Sequence, residues 1–148
     1  MNIRVTKEFR FEMAHALFNH DGLCKNIHGH SYFLAITLKG KPRSETGNPK
    51  DGMVIDFGDL KKFVTEQIIR PFDHALMLNK NMATNFHQNF NDQKLILVDF
   101  QPTCENMLLN MVEKLSPFFQ GNIQLHHLML RETSTSYAEW YADDNSLY

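Results

Sequence analysis

The alternation at the start of this chain constrains its fold more than any other feature. Over residues 2–13, Ile3, Val5, Phe9, Phe11 and Met13 share one parity, while Arg4, Thr6, Glu8, Arg10 and Glu12 take the other. Strand side chains alternate between faces, so the pattern predicts a sheet with one face in a core and one in water. Residues 31–39 (SYFLAITLK), rich in β-branched and aromatic side chains, predict a second strand. Gly, Pro and polar residues at 40–52 predict a loop or hairpin connection. Leu60, Phe63, Val64 and Ile68 recur at helical spacing over 58–69, with Pro71 as the stop. Pro102-Thr103 opens a second helix, whose apolar face is Leu108, Leu109, Val112 and Leu115 and which ends by Pro117. A short strand is expected at 95–100, further strands at 122–131 and 135–141, and a long polar excursion at 80–94. Strands interrupted by a helix pair imply the α+β class, with the helices packed on one face of the sheet in a single domain spanning 1–148.

Charge excludes several roles. Lys and Arg total 15 against 17 Asp and Glu, a net charge of −2, which leaves no electrostatic footprint for nucleic acid and no polybasic membrane anchor. Apolar runs fall far short of the ~20 residues of a membrane-spanning helix. The N-terminus alternates charged with apolar residues, unlike a secretory signal. Cys24 and Cys104 are the only cysteines, too few for a disulfide framework. The expectation is a cytoplasmic protein with no nucleic-acid or membrane partner.

Histidine is the unusual residue, with 8 in the chain. His28-Gly29-His30 places two imidazoles on the same side of an extended segment, and Gly29 lets the backbone pass close to a bound ion. His15, just after the first strand, joins them if the two strands pair through residues 16–27. Three imidazoles with an open fourth position form a recurring catalytic zinc arrangement. His-x-His alone is a weak signal; His20, His87, His126 and His127 are the bland comparison, and the last two read as strand or surface histidines, not ligands. Cys24, four residues before His28, suits either a base or nucleophile beside the metal or a fourth ligand closing a structural site. Cys104 reads as a small buried side chain. Asp73-His74 is a candidate acid–base pair, although sequence neighbours need not touch. Glu132 ends an apolar strand, where a carboxylate is costly unless exposed or paired. A flat two-donor group, such as a guanidinium or an aminopyrimidinone edge, is its natural partner.

Six segments in order resemble one family: F-x-F-E-x-A-H (Phe9–His15), C-x-x-x-H-G-H (Cys24–His30), V-I-D-F (Val54–Phe57), D-H (Asp73-His74), P-T-x-E (Pro102–Glu105) and R-E-T (Arg131–Thr133). From about residue 5 to residue 140 the chain is similar to the 6-pyruvoyl-tetrahydropterin synthase / 6-carboxytetrahydropterin synthase family. The resemblance implies the tunnelling fold: a four-stranded antiparallel sheet with two helices on one side. Three subunits would close a twelve-stranded β-barrel, and two trimers would stack into a homohexamer with active sites at subunit interfaces. It also implies His15, His28 and His30 as Zn2+ ligands and Cys24 as the catalytic thiolate. Asp73 and His74 would be acid–base members delivered by a neighbouring subunit. Glu132 would hold the pterin ring, Thr103 and Glu105 would contribute to its pocket, and Asp56 would be structural.

Three residues between Cys24 and His28 resemble the bacterial 6-carboxytetrahydropterin synthases of queuosine and deazapurine biosynthesis. The implied substrate is 7,8-dihydroneopterin triphosphate, and the products are 6-carboxy-5,6,7,8-tetrahydropterin, acetaldehyde and triphosphate. The alternatives are a 6-pyruvoyl-tetrahydropterin synthase, which eliminates triphosphate without carbon–carbon cleavage, and a non-catalytic zinc- or pterin-binding protein. Lys7, Arg10 and Lys25 are positional candidates for the triphosphate. The chain departs from the family pattern D-H-x-x-L-N by one extra residue before Leu78-Asn79, and its 80–94 excursion is longer than usual.

Overall fold

A computed structural model describes residues 1–83, 90 and 92–145. Its centre is a long antiparallel pair, β1 (Ile3–His15) and β2 (His28–Gly40). These strands run in unbroken register from Ile3 opposite Gly40 to His15 opposite His28. The odd positions of β1 and the even positions of β2 face inward. Phe9, Phe11 and Met13 meet Tyr32, Leu34, Ile36 and Leu38 there, all buried. Phe11 stacks on its cross-strand partner Tyr32 with ring centroids 5.1 Å apart, a contact that fixes this register.

The sheet has six strands in the order β4-β3-β1-β2-β5-β6. The four antiparallel strands expected from the sequence are β1, β2, β5 (Ile123–Arg131) and β6 (Tyr137–Tyr141). Two further strands run parallel on the far side of β1 and correct the four-strand count: β3 (Ala75–Asn79), not expected from the sequence, and β4 (Leu95–Val98), the short strand expected at 95–100. In β3, Ala75, Met77, Leu78 and Asn79 are all buried, so the strand has no alternation to read. A short apolar run of this kind is ambiguous in sequence.

Helix α1 (Phe57–Val64) starts at Asp56, whose carboxylate accepts from the Gly58 N–H at 2.6 Å. Asp56 is therefore an N-cap, the structural role expected of it. The helix does not stop before Pro71. It widens through a π turn (Thr65–Ile69), where the Arg70 N–H reaches back to the Thr65 carbonyl, and continues as α2 (Arg70–Phe72). The wide turn accommodates a residue that cannot donate to the helical ladder. A short α3 (Lys80–Ala83) follows β3.

Helix α4 (Cys104–Leu115) buries Met107, Leu108, Met111, Val112 and Leu115. Leu109, expected on that face, is exposed. It lies about 100° around the helix from Leu108, and Met107 and Met111 occupy the stripe instead. Leu60, Val64, Ile68 and the α4 stripe join the inward side chains of β1, β2, β5 and β6 in one core, which places the helices on one face of the sheet as expected. None of the described helices is long and apolar enough to cross a membrane.

Candidate metal centre and its cavity

The register that pairs His15 with His28 also sets His30 opposite Met13, so three imidazoles converge at one end of the β1–β2 ladder. Their ligand atoms all lie within 4.8 Å of one another. The Nδ1–H of His15 donates to the Pro102 carbonyl at 2.7 Å, and that of His28 to the Asn26 carbonyl at 2.8 Å. With Nδ1 protonated in both rings, their Nε2 lone pairs face each other at 3.1 Å. Two bare acceptors at that distance repel unless a cation lies between them, and backbone-oriented imidazoles are how protein zinc sites fix the ligating nitrogen. The donor set therefore fits a bound zinc ion. Burial lowers the pKa of His15, outweighing the Pro102 carbonyl and Glu132, which raise it. Burial likewise lowers His30. Both effects favour the neutral, ligating form.

Glu132 closes the other side. Its Oε1 lies 3.5 Å from His15 Nε2 and 3.8 Å from His30 Nε2, and accepts from the Tyr32 hydroxyl at 3.1 Å. Burial, followed by the Glu132 charge, raises the Tyr32 pKa and keeps its phenol a donor. Oε2 accepts no hydrogen bond from the described residues, so it remains available to a ligand. Tyr32 is a site residue that sequence reasoning misses, because aromatic alternation in β2 marks it as core. The carbonyl groups of Pro102 and Asn26 are equally invisible, since backbone partners carry no side-chain signature.

His15, His28, His30 and Glu132 line one cavity of about 470 Å³, together with Cys24, Thr103, Cys104 and Glu105. Cys24 sits in a 3-10 turn (Leu23–Lys25) whose position is fixed where the Leu17 N–H donates to the Cys24 carbonyl at 2.9 Å. Phe18 and the Gln101 side-chain amide exchange two hydrogen bonds, fastening the same loop to the approach of α4. Thr103 caps α4, its hydroxyl oxygen accepting from the Asn106 N–H at 3.3 Å. That leaves its O–H free to donate.

Cys104 lies half-buried in the cavity wall, with its thiol donating to the Leu130 carbonyl at 3.3 Å. Burial, then the Glu132 charge, pushes its pKa up to about 12. At pH 7 the thiolate fraction is then on the order of 10⁻⁵. Brief iodoacetamide treatment at neutral pH should leave Cys104 unmodified in peptide mass maps. Rapid carboxamidomethylation of Cys104 would contradict this environment.

Asp73 and His74 touch: His74 Nδ1 lies 2.9 Å from Asp73 Oδ2. His74 has φ of +58°, a left-handed conformation that bends the chain sharply between β3 and the helix before it. Glu12 clamps the bend, its N–H donating to Asp73 Oδ1 at 2.9 Å and its carbonyl accepting from the His74 N–H. The bond from Glu12 lowers the Asp73 pKa, with His74 adding to the effect. Lys94 braces the same bend by donating to the Arg70 and Asp73 carbonyls.

This pair does not line the histidine cavity of its own chain. His74 borders a second cavity with Glu12, Gly29 and Ser31, and His30 lines both cavities. Gly29 and Ser31 alternate with His28 and His30 along β2, and Glu12 stands opposite Ser31 on β1. The pair therefore lies toward the other face of the sheet. Lys7 and Arg10 are also remote. Lys7 lies over the Phe57 ring and Arg10 over the Phe33 ring. Lys7 is eight residues from His15 along β1, roughly 26 Å. No Lys or Arg among the described residues lines the histidine cavity.

His126 and His127 lie on β5, away from the cluster. His126 is the extra residue of a β-bulge opposite Thr37 and Leu38, and His127 contacts Glu139 at 3.0 Å. His20 is near the cluster, in the cavity wall. His87 lies outside the described residues.

A sheet with helices on one face and three converging imidazoles beside a carboxylate defines an α+β protein with a candidate metal centre. The model of the 6-pyruvoyl tetrahydropterin synthase family matches residues 4–143, and the chain belongs to this 6-pyruvoyl/6-carboxytetrahydropterin synthase family. It is 34% identical over 142 residues to the 6-carboxy-5,6,7,8-tetrahydropterin synthase of Haemophilus influenzae, covering 93% of this chain and 97% of that one. It is 30% identical over 138 residues to that of Synechocystis, covering 93% and 92%. The fold is shared with a Wolinella succinogenes protein, WS1659, at a TM-score of 0.75 and 18% identity, covering 95% and 98% of the two chains. Plasmodium falciparum 6-pyruvoyl tetrahydropterin synthase gives a TM-score of 0.70 at 21% identity, covering 95% and 98%.

Proposed function

We propose that this chain is a zinc-dependent 6-carboxy-5,6,7,8-tetrahydropterin synthase that converts 7,8-dihydroneopterin triphosphate to 6-carboxytetrahydropterin, acetaldehyde and triphosphate. The observation that carries this reading is a single cavity holding three converging imidazoles, Cys24 and the carboxylate of Glu132. The identity to relatives bearing that name supports it. His15, His28 and His30 would hold the zinc. Bound there, it would polarise the hydroxyl groups of the substrate side chain as a Lewis acid and lower their pKa.

The remaining roles belong to the chain itself. Glu132 binds the pterin, with Oε2 and the remaining capacity of Oε1 facing the ring amino group and ring N–H. Thr103 and Glu105 complete the wall that orients it. Cys24 removes and returns a proton at the side-chain carbons, as a thiolate close to the imidazoles. Asp73 holds the His74 tautomer, and His74 serves as the second proton carrier. Its placement toward the other face supports delivery of this pair by a neighbouring subunit, in a homohexamer whose trimers close the β-barrel. The triphosphate would then meet cations from outside the cavity of its own chain, since none of the described Lys or Arg residues lines it.

The test is product analysis by mass spectrometry after incubating zinc-loaded protein with 7,8-dihydroneopterin triphosphate. 6-Carboxytetrahydropterin together with acetaldehyde is the expected result. Accumulation of 6-pyruvoyl-tetrahydropterin would assign the sister activity. Zinc-loaded, folded protein without turnover would leave a binding protein on the same scaffold. The extra residue before Leu78-Asn79 and the 80–94 excursion follow Asp73-His74 directly in the chain, where they bear on the choice of substrate.

A further inference from the structure

At the end of the β1–β2 ladder opposite the histidines lies a second cavity, of about 510 Å³. Lys39, Lys41 and Arg43 line it. Arg4 stands directly across the ladder from Lys39. Directly opposed residues share a face, and like charges in that position destabilise a sheet. Two other lysines show how this chain neutralises charge elsewhere: Lys50 pairs with Asp59 and Lys80 with Asp99. Arg4, Lys39, Lys41 and Arg43 have no carboxylate partner among the described residues. Glu45 is the one acid in the lining, and its carboxylate accepts from the Asn48 amide. The field of Arg4 and Lys39 also reaches His126, adding to burial in lowering its pKa, against Asp143, which raises it.

The wall of this cavity depends on a glycine. A Cβ on Gly40 would lie 2.7 Å from the Asn122 carbonyl oxygen and 3.0 Å from Val54 Cγ1. The bare α-carbon lets the Gly121-Asn122 turn close against the end of β2. The cations thereby converge on a concavity instead of spreading over an open surface. A concave site collecting one sign of charge concentrates ions of the other sign. The chain as a whole is slightly acidic, so the cavity suits a small ligand, not an extended polyanion.

We propose that the cavity bounded by Lys39, Lys41, Arg43 and the Gly121-Asn122 turn is a binding site for a small multivalent oxyanion of the oligophosphate class. It is separate from the metal centre and independent of the reaction assigned above. Calorimetric titration of the zinc-loaded full chain with inorganic triphosphate at low salt tests it. Saturable binding is expected. The Lys41→Gln/Arg43→Gln variant should weaken it by roughly 100-fold, about ten-fold for each charge-assisted hydrogen bond removed. The charge-preserving Lys41→Arg/Arg43→Lys variant should retain binding, and so should His28→Ala protein, which lacks a complete metal site. Absence of binding in the wild type would overturn the proposal. So would binding that His28→Ala abolishes and Lys41→Gln/Arg43→Gln leaves intact, since that places the anion at the metal centre.

Discussion

Replacing His28 with alanine is expected to strip zinc from the protein and abolish turnover together. His28 is half-buried at the end of β2, and its Nε2 faces that of His15 at 3.1 Å. Removing it leaves two imidazoles, below the three protein ligands of a catalytic zinc site. Loss of a partner that merely orients a ligand costs roughly 10–100-fold in metal affinity, so loss of the ligand itself should exceed about 100-fold. Zinc content by atomic emission after gel filtration should fall from one equivalent per chain toward zero. The fold should persist, because the core is formed from other residues. A variant that kept full zinc occupancy would remove His28 from the ligand set.

Cys24→Ala is expected to separate chemistry from metal binding. Cys24 lines the histidine cavity, but the described three-residue ligand group consists of His15, His28 and His30 without it. If the thiol carries protons, the variant should retain one zinc per chain while turnover drops by roughly 10²–10⁴-fold, the range for losing a positioned acid–base group. Loss of zinc in this variant would instead identify a sulfur ligand and a closed structural site. Cys24→Ser provides a second reading, since a hydroxyl preserves shape but not thiolate chemistry.

The parts of this fold that are legible in sequence are those where one face is buried and the other wet. β1 shows its period because Phe9, Phe11 and Met13 alternate with Glu8, Arg10 and Glu12, and α1 with its π turn because Leu60, Val64 and Ile68 share a stripe. β3 does not show it, since nearly every position is buried and no contrast exists to read. The three histidines are legible because strand pairing turns a sequence spacing into a spatial one. His15 and His28 become neighbours through the register of two long strands. The support behind them is not legible. The Pro102 and Asn26 carbonyl groups, the Tyr32 hydroxyl and the Glu12 clamp on Asp73 and His74 act through backbone atoms or through residues with an evident core role. The placement of Asp73 and His74 away from the cavity depends on which face each strand residue takes, and so requires the structure.

In the proposed site His15, His28 and His30 bind zinc and leave Cys24 free beside it. X-ray absorption at the zinc edge of the loaded protein tests this most directly. The expected spectrum shows zinc bound by nitrogen and oxygen only, with zinc–nitrogen distances of about 2.0–2.1 Å and an exchangeable oxygen in the fourth position. A zinc–sulfur distance of about 2.3 Å would contradict it, because Cys24 would then be a ligand and the site a closed one.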